Sequence, residues 1–352
     1  AALLGTLGVI AGLWADMLGH ERVGVQDDFF ELGGHSLLAV RLMAAVHRET
    51  GRKLPLSALF QAPSVERFAV LLGEAEPKPF TPLVPFTKEG TGSAPPFFCV
   101  HPVGGNVLAY AELARRLGPD QPFYGLQARG LDGTDQPLDT VESLAASYVR
   151  VVRGVQPHGP YHLGGWSLGG VIAYEMAHQL REAGEAVELV AMIDSYVPQT
   201  VPDSEPDLDR TLAVGLFAQD LMGVSLAELD VDTAELATLE PEAALAKVLE
   251  SAAQAGALPP GVDATALFQV FEANLEAARR YHPPAMDQRV VRIQAEELVD
   301  DTGTGDGGWT ALVGDRLESH RLPGTHYTLL REPVVQSVAE LLMKALRDAG
   351  KK

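Results

Sequence analysis

The chain has 352 residues, 46% of them hydrophobic and 21% charged, which excludes a disordered protein. With 47 Asp and Glu against 27 Lys and Arg, the formal net charge is −20, so nucleic acid and anionic membranes are not expected as partners. The single cysteine, Cys99, excludes a disulfide framework and a cysteine-built zinc or iron–sulfur site, and it fits a reducing, cytoplasmic setting.

The length predicts two or three domains. Ala1 to Ala15 carry no charge, but no basic segment precedes them and Asp16 follows at once, which argues against an export signal. Leu3, Leu7, Ile10, Trp14 and Met17 recur at helical spacing and predict a helix over about Leu3–Leu18. No apolar run approaches the ~20 residues of a membrane span. The absence of an initiator Met and the Lys351-Lys352 end predict a piece of something longer. After a loop from His20 to Gly34, a second helix opens near Ser36 and ends before Gly51, with Leu38, Leu42 and Val46 on one face. Pro55–Phe60 reads as a short helical turn, and Ser64 as the N-cap of a helix over Val65–Leu72. Residues 1–75 are thus expected to form a small all-α bundle of four helices. Residues 76–96, rich in Pro with Gly90, Gly92 and Ser93, read as an extended linker without a core.

From Phe97 short apolar runs alternate with helical stretches. The runs are Phe97–Val100, Pro122–Leu126, Tyr161–Gly164, Val187–Ile193, Val290–Ile293 and Leu317–Leu322. The helices fall near Ala109–Leu117, Val141–Val155, Ser167–Ala183 and Pro333–Arg347. This rhythm predicts a mainly parallel sheet with helices on both faces over residues 97–350. Between the fourth and fifth runs, residues 198–288 read as helical and are too long for an ordinary connection, so an inserted helical lid is expected. That segment holds 16 acids and 4 bases, more than half of the net charge. Gly303, Gly305, Gly307 and Gly308 around Trp309 read as a flexible surface loop, and Cys99 as core.

Two strings carry chemistry. In Asp27-Asp28-Phe29-Phe30-Glu31-Leu32-Gly33-Gly34-His35-Ser36-Leu37, a glycine pair turns the loop into a helix and leaves Ser36 at its start, where a phosphodiester would sit well. An N-cap role for Ser36 is the plainer reading of the residues alone. In Gly165-Trp166-Ser167-Leu168-Gly169, a G-x-S-x-G pattern lies between a strand and a helix, the setting of a nucleophile elbow. A serine nucleophile needs a base and an orienting acid, in the chain order Ser, acid, His. His326, after the last strand-like run, meets that order; His282 and His320 are its rivals. For the acid, Asp194 ends the run Val187–Ile193, while Glu296, Glu297, Asp300 and Asp301 follow a later one, and spacing leaves them open. The turn His101-Pro102-Val103-Gly104-Gly105-Asn106 follows Phe97–Val100 and can present backbone N–H groups to an oxyanion. Scattered histidines give no metal site, and no G-x-G-x-x-G follows a strand.

The first string resembles the attachment motif of peptidyl carrier domains, and residues 97–350 resemble type I thioesterase domains, the release domains of nonribosomal peptide synthetases. The resemblance implies 4′-phosphopantetheine on Ser36, added by a phosphopantetheinyl transferase. It also implies upstream condensation and adenylation domains and a peptidyl thioester substrate. It selects Asp194 as the acid and the amides of Val103 and Leu168 as the oxyanion hole, with Ser167 as nucleophile and His326 as base. Release by hydrolysis or macrocyclisation would follow. A polyketide-type terminal pair and a silent carrier or binding module are the competing readings; polyketide carriers more often place Asp before the serine, where this chain has His35.

Overall fold

The computed structural model describes residues 2–34, 36–52, 54, 56, 58–74, 80–87, 94–199, 209–258, 264–297 and 305–350. The chain divides into two compact units: residues 1–80, 130–135 and 208–269 form one, and residues 81–129, 136–207 and 270–352 the other.

In the first unit the N-terminal helices are α1 (Ala2–Leu18), α2 (Ser36–Thr50), α3 (Ala58–Gln61) and α4 (Val65–Gly73). They form because apolar side chains recur at helical spacing and find each other: Ile10 and Trp14 of α1, Leu42 and Val46 of α2, Leu59, and Phe68 of α4 are all fully buried. Ser64 caps α4, its hydroxyl accepting the Arg67 N–H at 3.4 Å. Phe29 plugs the bundle from the loop, edge-on to Trp14 with ring centroids 5.3 Å apart. The short turn expected at Pro55–Phe60 is a four-residue helix that starts three residues later and ends one later; Pro55 and Ser57 lie outside the described residues. The same unit holds three helices of the insertion, α8 (Arg210–Met222), α9 (Thr233–Leu236) and α10 (Pro241–Gln254). Asp209 and Asp232 cap the first two through their side chains.

The second unit is a seven-stranded sheet in the order β1-β3-β2-β4-β5-β6-β7 among the described residues. The strands are β1 (Leu83–Pro85), β2 (Phe97–Val100), β3 (Phe123–Leu126), β4 (Tyr161–Trp166), β5 (Val187–Ile193), β6 (Val290–Ala295) and β7 (Leu317–Leu322). β1 runs antiparallel to β3 and every other pairing is parallel. The segment read as a coreless linker therefore supplies an edge strand. Its Pro85 is tolerated there because an edge residue need not donate to a further neighbour. β2, β4 and β6 are buried along their whole length, as parallel strands covered on both faces must be.

Helices α6 (Val141–Val155) and α7 (Leu168–Glu182) pack on each other, and α5 (Ala111–Leu117) packs on α13 (Val334–Ala349). They cover both faces of the sheet, giving an α/β-hydrolase fold. The last helix of the insertion, α11 (Thr265–Arg280), leads back into β6. Trp309, just before the short helix α12 (Thr310–Val313), is not on a surface loop. It is fully buried, with its ring 5.0 Å from that of Tyr174 and its indole N–H donated to the Ser195 carbonyl at 3.0 Å. The surrounding glycines suggested flexibility, but a large apolar ring with a carbonyl partner is better buried. Gly303 lies outside the described residues.

Candidate active site

The chain order of the parallel strands reverses direction beside β2, so the carboxyl ends of β2 and β4 open a crevice in which such sheets bind ligands. The sequence-selected residues of the second unit are at that edge. Ser167 follows β4 directly, with φ 58° and ψ −127°, a left-handed conformation that costs a non-glycine residue energy and turns the side chain out of the strand–helix corner. The corner is crowded: a Cβ on Gly169 would sit 2.1 Å from the Val100 carbonyl oxygen, and one on Gly170 2.1 Å from Ser195 Oγ. Only glycine allows α7 to start this close to β2 and β5. The Ser167 N–H donates to the Ile193 carbonyl at 2.9 Å, and the Ser195 hydroxyl donates to the Ser167 carbonyl at 2.6 Å. The Tyr110 hydroxyl donates to the Val100 carbonyl and accepts the Trp166 N–H at 2.9 Å, tying the ends of β2 and β4 together.

Asp194, at the end of β5, is fully buried and also takes a positive φ, 44°. Three donors converge on it. Oδ2 lies 2.7 Å from His326 Nδ1, and Oδ1 accepts the Ala295 N–H at 2.9 Å and the Tyr196 hydroxyl at 3.2 Å. This environment suits a carboxylate anion. With Nδ1 held by the acid, the other ring nitrogen of His326 is left for a reacting group. His326 lies on the loop after β7, and the Trp166 ring, one residue before Ser167, is 4.9 Å from its imidazole. Of the rivals, His282 contacts the Arg280 carbonyl and His320 pairs with Glu318. Glu296 and Glu297 are exposed, and Asp300 and Asp301 lie outside the described residues.

The loop after β2 is held from several sides. Burial pushes the His101 imidazole down to about 4, so it is neutral; Nδ1–H donates to the Pro102 carbonyl at 2.7 Å and Nε2 accepts the Tyr148 hydroxyl at 2.6 Å. Asn274, on α11, donates to the Val103 carbonyl at 2.8 Å and so holds the Val103–Gly104 peptide. Leu168 opens α7, where the first N–H groups have no intrahelical acceptor. Cys99 is fully buried in β2, and its thiol is pushed far up by burial, which leaves it no nucleophilic role.

Tyr196, Arg292, Asn274 and Tyr110 escaped the sequence reading. Only their contacts across the fold mark them; no local pattern does. Among the described residues, no group of three or more His, Cys, Asp or Glu is placed to hold a metal ion. No helix among them is long and apolar enough to cross a membrane.

Ser36 begins α2, whose first turn carries no acidic residue. The approach to it is tight: a Cβ on Gly34 would lie 2.3 Å from the Phe29 ring. A serine at a helix start, with backbone N–H groups near and no carboxylate in the first turn, fits a phosphodiester such as that of phosphopantetheine.

A thioesterase domain family model matches residues 95–346, and a phosphopantetheine attachment site model matches residues 8–72. The chain is 42% identical over 222 residues to a dimodular nonribosomal peptide synthase of Bacillus subtilis, covering 61% of this chain and 9% of that one. It is 32% identical over 343 residues to a probable noncanonical nonribosomal peptide synthetase of Salinispora arenicola, covering 96% and 4%. The chain thus spans under a tenth of the length of these curated relatives. Among solved structures, it is similar to a holo four-domain nonribosomal peptide synthetase bound to AMP and glycine, with TM-score 0.68 and 32% identity, covering 96% of this chain and 26% of that one. It is also similar to the NocB thioesterase domain in covalent complex with a fluorophosphonate nocardicin G analogue, with TM-score 0.52 and 28% identity, covering 72% and 96%. The chain belongs to the thioesterase domain family, with a phosphopantetheine attachment domain ahead of the thioesterase domain.

Proposed function

We propose that this chain ends a nonribosomal peptide synthesis by moving a peptide from a carrier thioester to Ser167 and releasing it. The observation that carries the reading is the 2.7 Å contact between His326 Nδ1 and buried Asp194 at the sheet edge where Ser167 stands on a strained elbow. Residues 1–75 would be the carrier and 97–350 the thioesterase with 198–288 as its lid, while the connecting segment 76–96 gives β1 to the thioesterase sheet. Ser36 would hold the phosphopantetheine, which when attached supplies a flexible arm ending in a thiol that carries the peptide as a thioester.

Ser167 Oγ attacks the thioester carbonyl as His326 Nε2 takes its proton. Asp194 holds the ring in the productive tautomer and stabilises the imidazolium. The tetrahedral oxyanion is met by the Val103 and Leu168 amides. The C–S bond breaks, the sulfur leaves with the proton from His326, and the acyl group rests as an ester on Ser167. Water, or a nucleophile within the peptide, then attacks that ester with His326 again as base, giving acid or macrocycle. Upstream condensation and adenylation domains would supply the peptide, and a phosphopantetheinyl transferase would load Ser36. The reducing cytoplasm suits the single buried thiol.

An alkyl fluorophosphonate should label Ser167 in the full chain, and Ser167→Ala should abolish labelling. Ser36→Ala should lose the mass gain given by a phosphopantetheinyl transferase yet still cleave a soluble N-acetylcysteamine thioester. Labelling that persists in Ser167→Ala would refute the nucleophile assignment.

A further inference from the structure

The loop after Asp194 makes contacts for which the mechanism above has no use. The Tyr196 hydroxyl donates to Asp194 Oδ1 at 3.2 Å, on the opposite oxygen from the one that faces His326. The ring of the same tyrosine lies on a cation: the Arg292 guanidinium carbon is 4.8 Å from its centroid. Arg292, on β6, is fully buried, and its Nε donates to the carbonyl of Ser195 at 3.0 Å. One buried cation thus grips the residue after the acid by its carbonyl, and the next residue by its ring.

Charges interact strongly here because little water screens them. A cation on the face of a phenol draws electron density from the ring. A phenol so polarised donates a stronger hydrogen bond, as linked hydrogen bonds do in a low dielectric. The donor is intact across the working pH range, since burial and then the Asp194 charge push the Tyr196 hydroxyl up to about 12. Its bond to Oδ1 draws negative charge away from Oδ2, and Asp194 then holds a proton on His326 less firmly.

We propose that Tyr196, polarised by Arg292, is a positioning residue that sets how readily His326 takes a proton, acting through Asp194. The inference rests on the reading of Ser167, Asp194 and His326 as a triad. Asp194 and Arg292 both face Tyr196, and Asp194 also acts on Arg292 directly; with Asp306 it supports the Arg292 charge, which Arg321 opposes.

The test is the rate of Ser167 labelling by an alkyl fluorophosphonate in the full chain, followed by intact mass between about pH 4 and 9. Tyr196→Phe removes one hydroxyl and keeps the ring. Asp194 then stabilises the imidazolium more, and the acidic limb of the profile should move to higher pH by about half a unit to one unit. Arg292→Met should move it in the same direction, and by less when Tyr196→Phe is already present. A merely structural role would slow labelling at every pH and leave the limb in place; that result in Tyr196→Phe overturns the proposal. Should Arg292→Met fail to fold, Tyr196→Phe decides alone. A wild-type Ser167 that does not react would overturn the triad reading and this one with it. A reactive Ser167 with an unmoved limb overturns only this one.

Discussion

His101 shows how a single side chain can lock a loop and leave a trace in stability. The imidazole is neutral in the fold because it is buried between the Pro102 carbonyl and the Tyr148 hydroxyl. The unfolded chain takes up a proton at the ordinary value of 6.5, whereas the folded chain does so only at about 4. The unfolded state therefore binds more protons between these values, and stability from this group, full above 6.5, is lost as pH falls toward 4. Urea denaturation across this window should show that loss, and His101→Gln should flatten it by about one proton. An unchanged slope would place the titration elsewhere. The serine and histidine of the site could be read from the sequence because each stands in a local pattern, G-x-S-x-G or a loop after the last strand. Asp194 needed the family resemblance to stand out from four other carboxylates. Tyr196 and Arg292 could not be read at all, since they lie far apart in the chain and meet only when β5 and β6 pair.

At the scale of elements, the elbow depends on how close α7 comes to β2 and β5. Gly169 and Gly170 make this approach possible. Gly170→Val would drive a side chain into Ser195, whose hydroxyl holds the Ser167 carbonyl. A cost of about 1–3 kcal/mol is expected from the overpacking, together with loss of fluorophosphonate labelling at temperatures where circular dichroism still shows a folded protein. Labelling at the wild-type rate would mean that the corner can yield. The alternating runs and helices were legible because a buried parallel strand is a short apolar run and a covering helix repeats its apolar face. β1 was hidden by Pro85 and by Pro82 just before it, since proline marks an edge as readily as a loop. Trp309 was hidden by glycines that in fact let the chain fold over it: a Cβ on Gly307 would lie 2.8 Å from Arg292 Nη2, and one on Gly308 3.2 Å from Val197 Cβ.

At the scale of the whole chain, the proposed function divides the work between two serines. Ser36 stands at the start of a helix and Ser167 on a strained turn. The first placement suits a stable phosphodiester, and the second an ester that forms and breaks. In the proposed function the peptide passes from Ser36 to Ser167 before it is released. The most direct measurement loads the full chain at Ser36 with an acyl-pantetheine from acyl-coenzyme A and a phosphopantetheinyl transferase, and follows the intact mass with time. In the wild type the acyl mass should disappear as free acid or cyclic product forms. In Ser167→Ala it should remain on the peptide containing Ser36, with release slowed by at least about a thousandfold. Release from Ser167→Ala at the wild-type rate would rule out passage through Ser167.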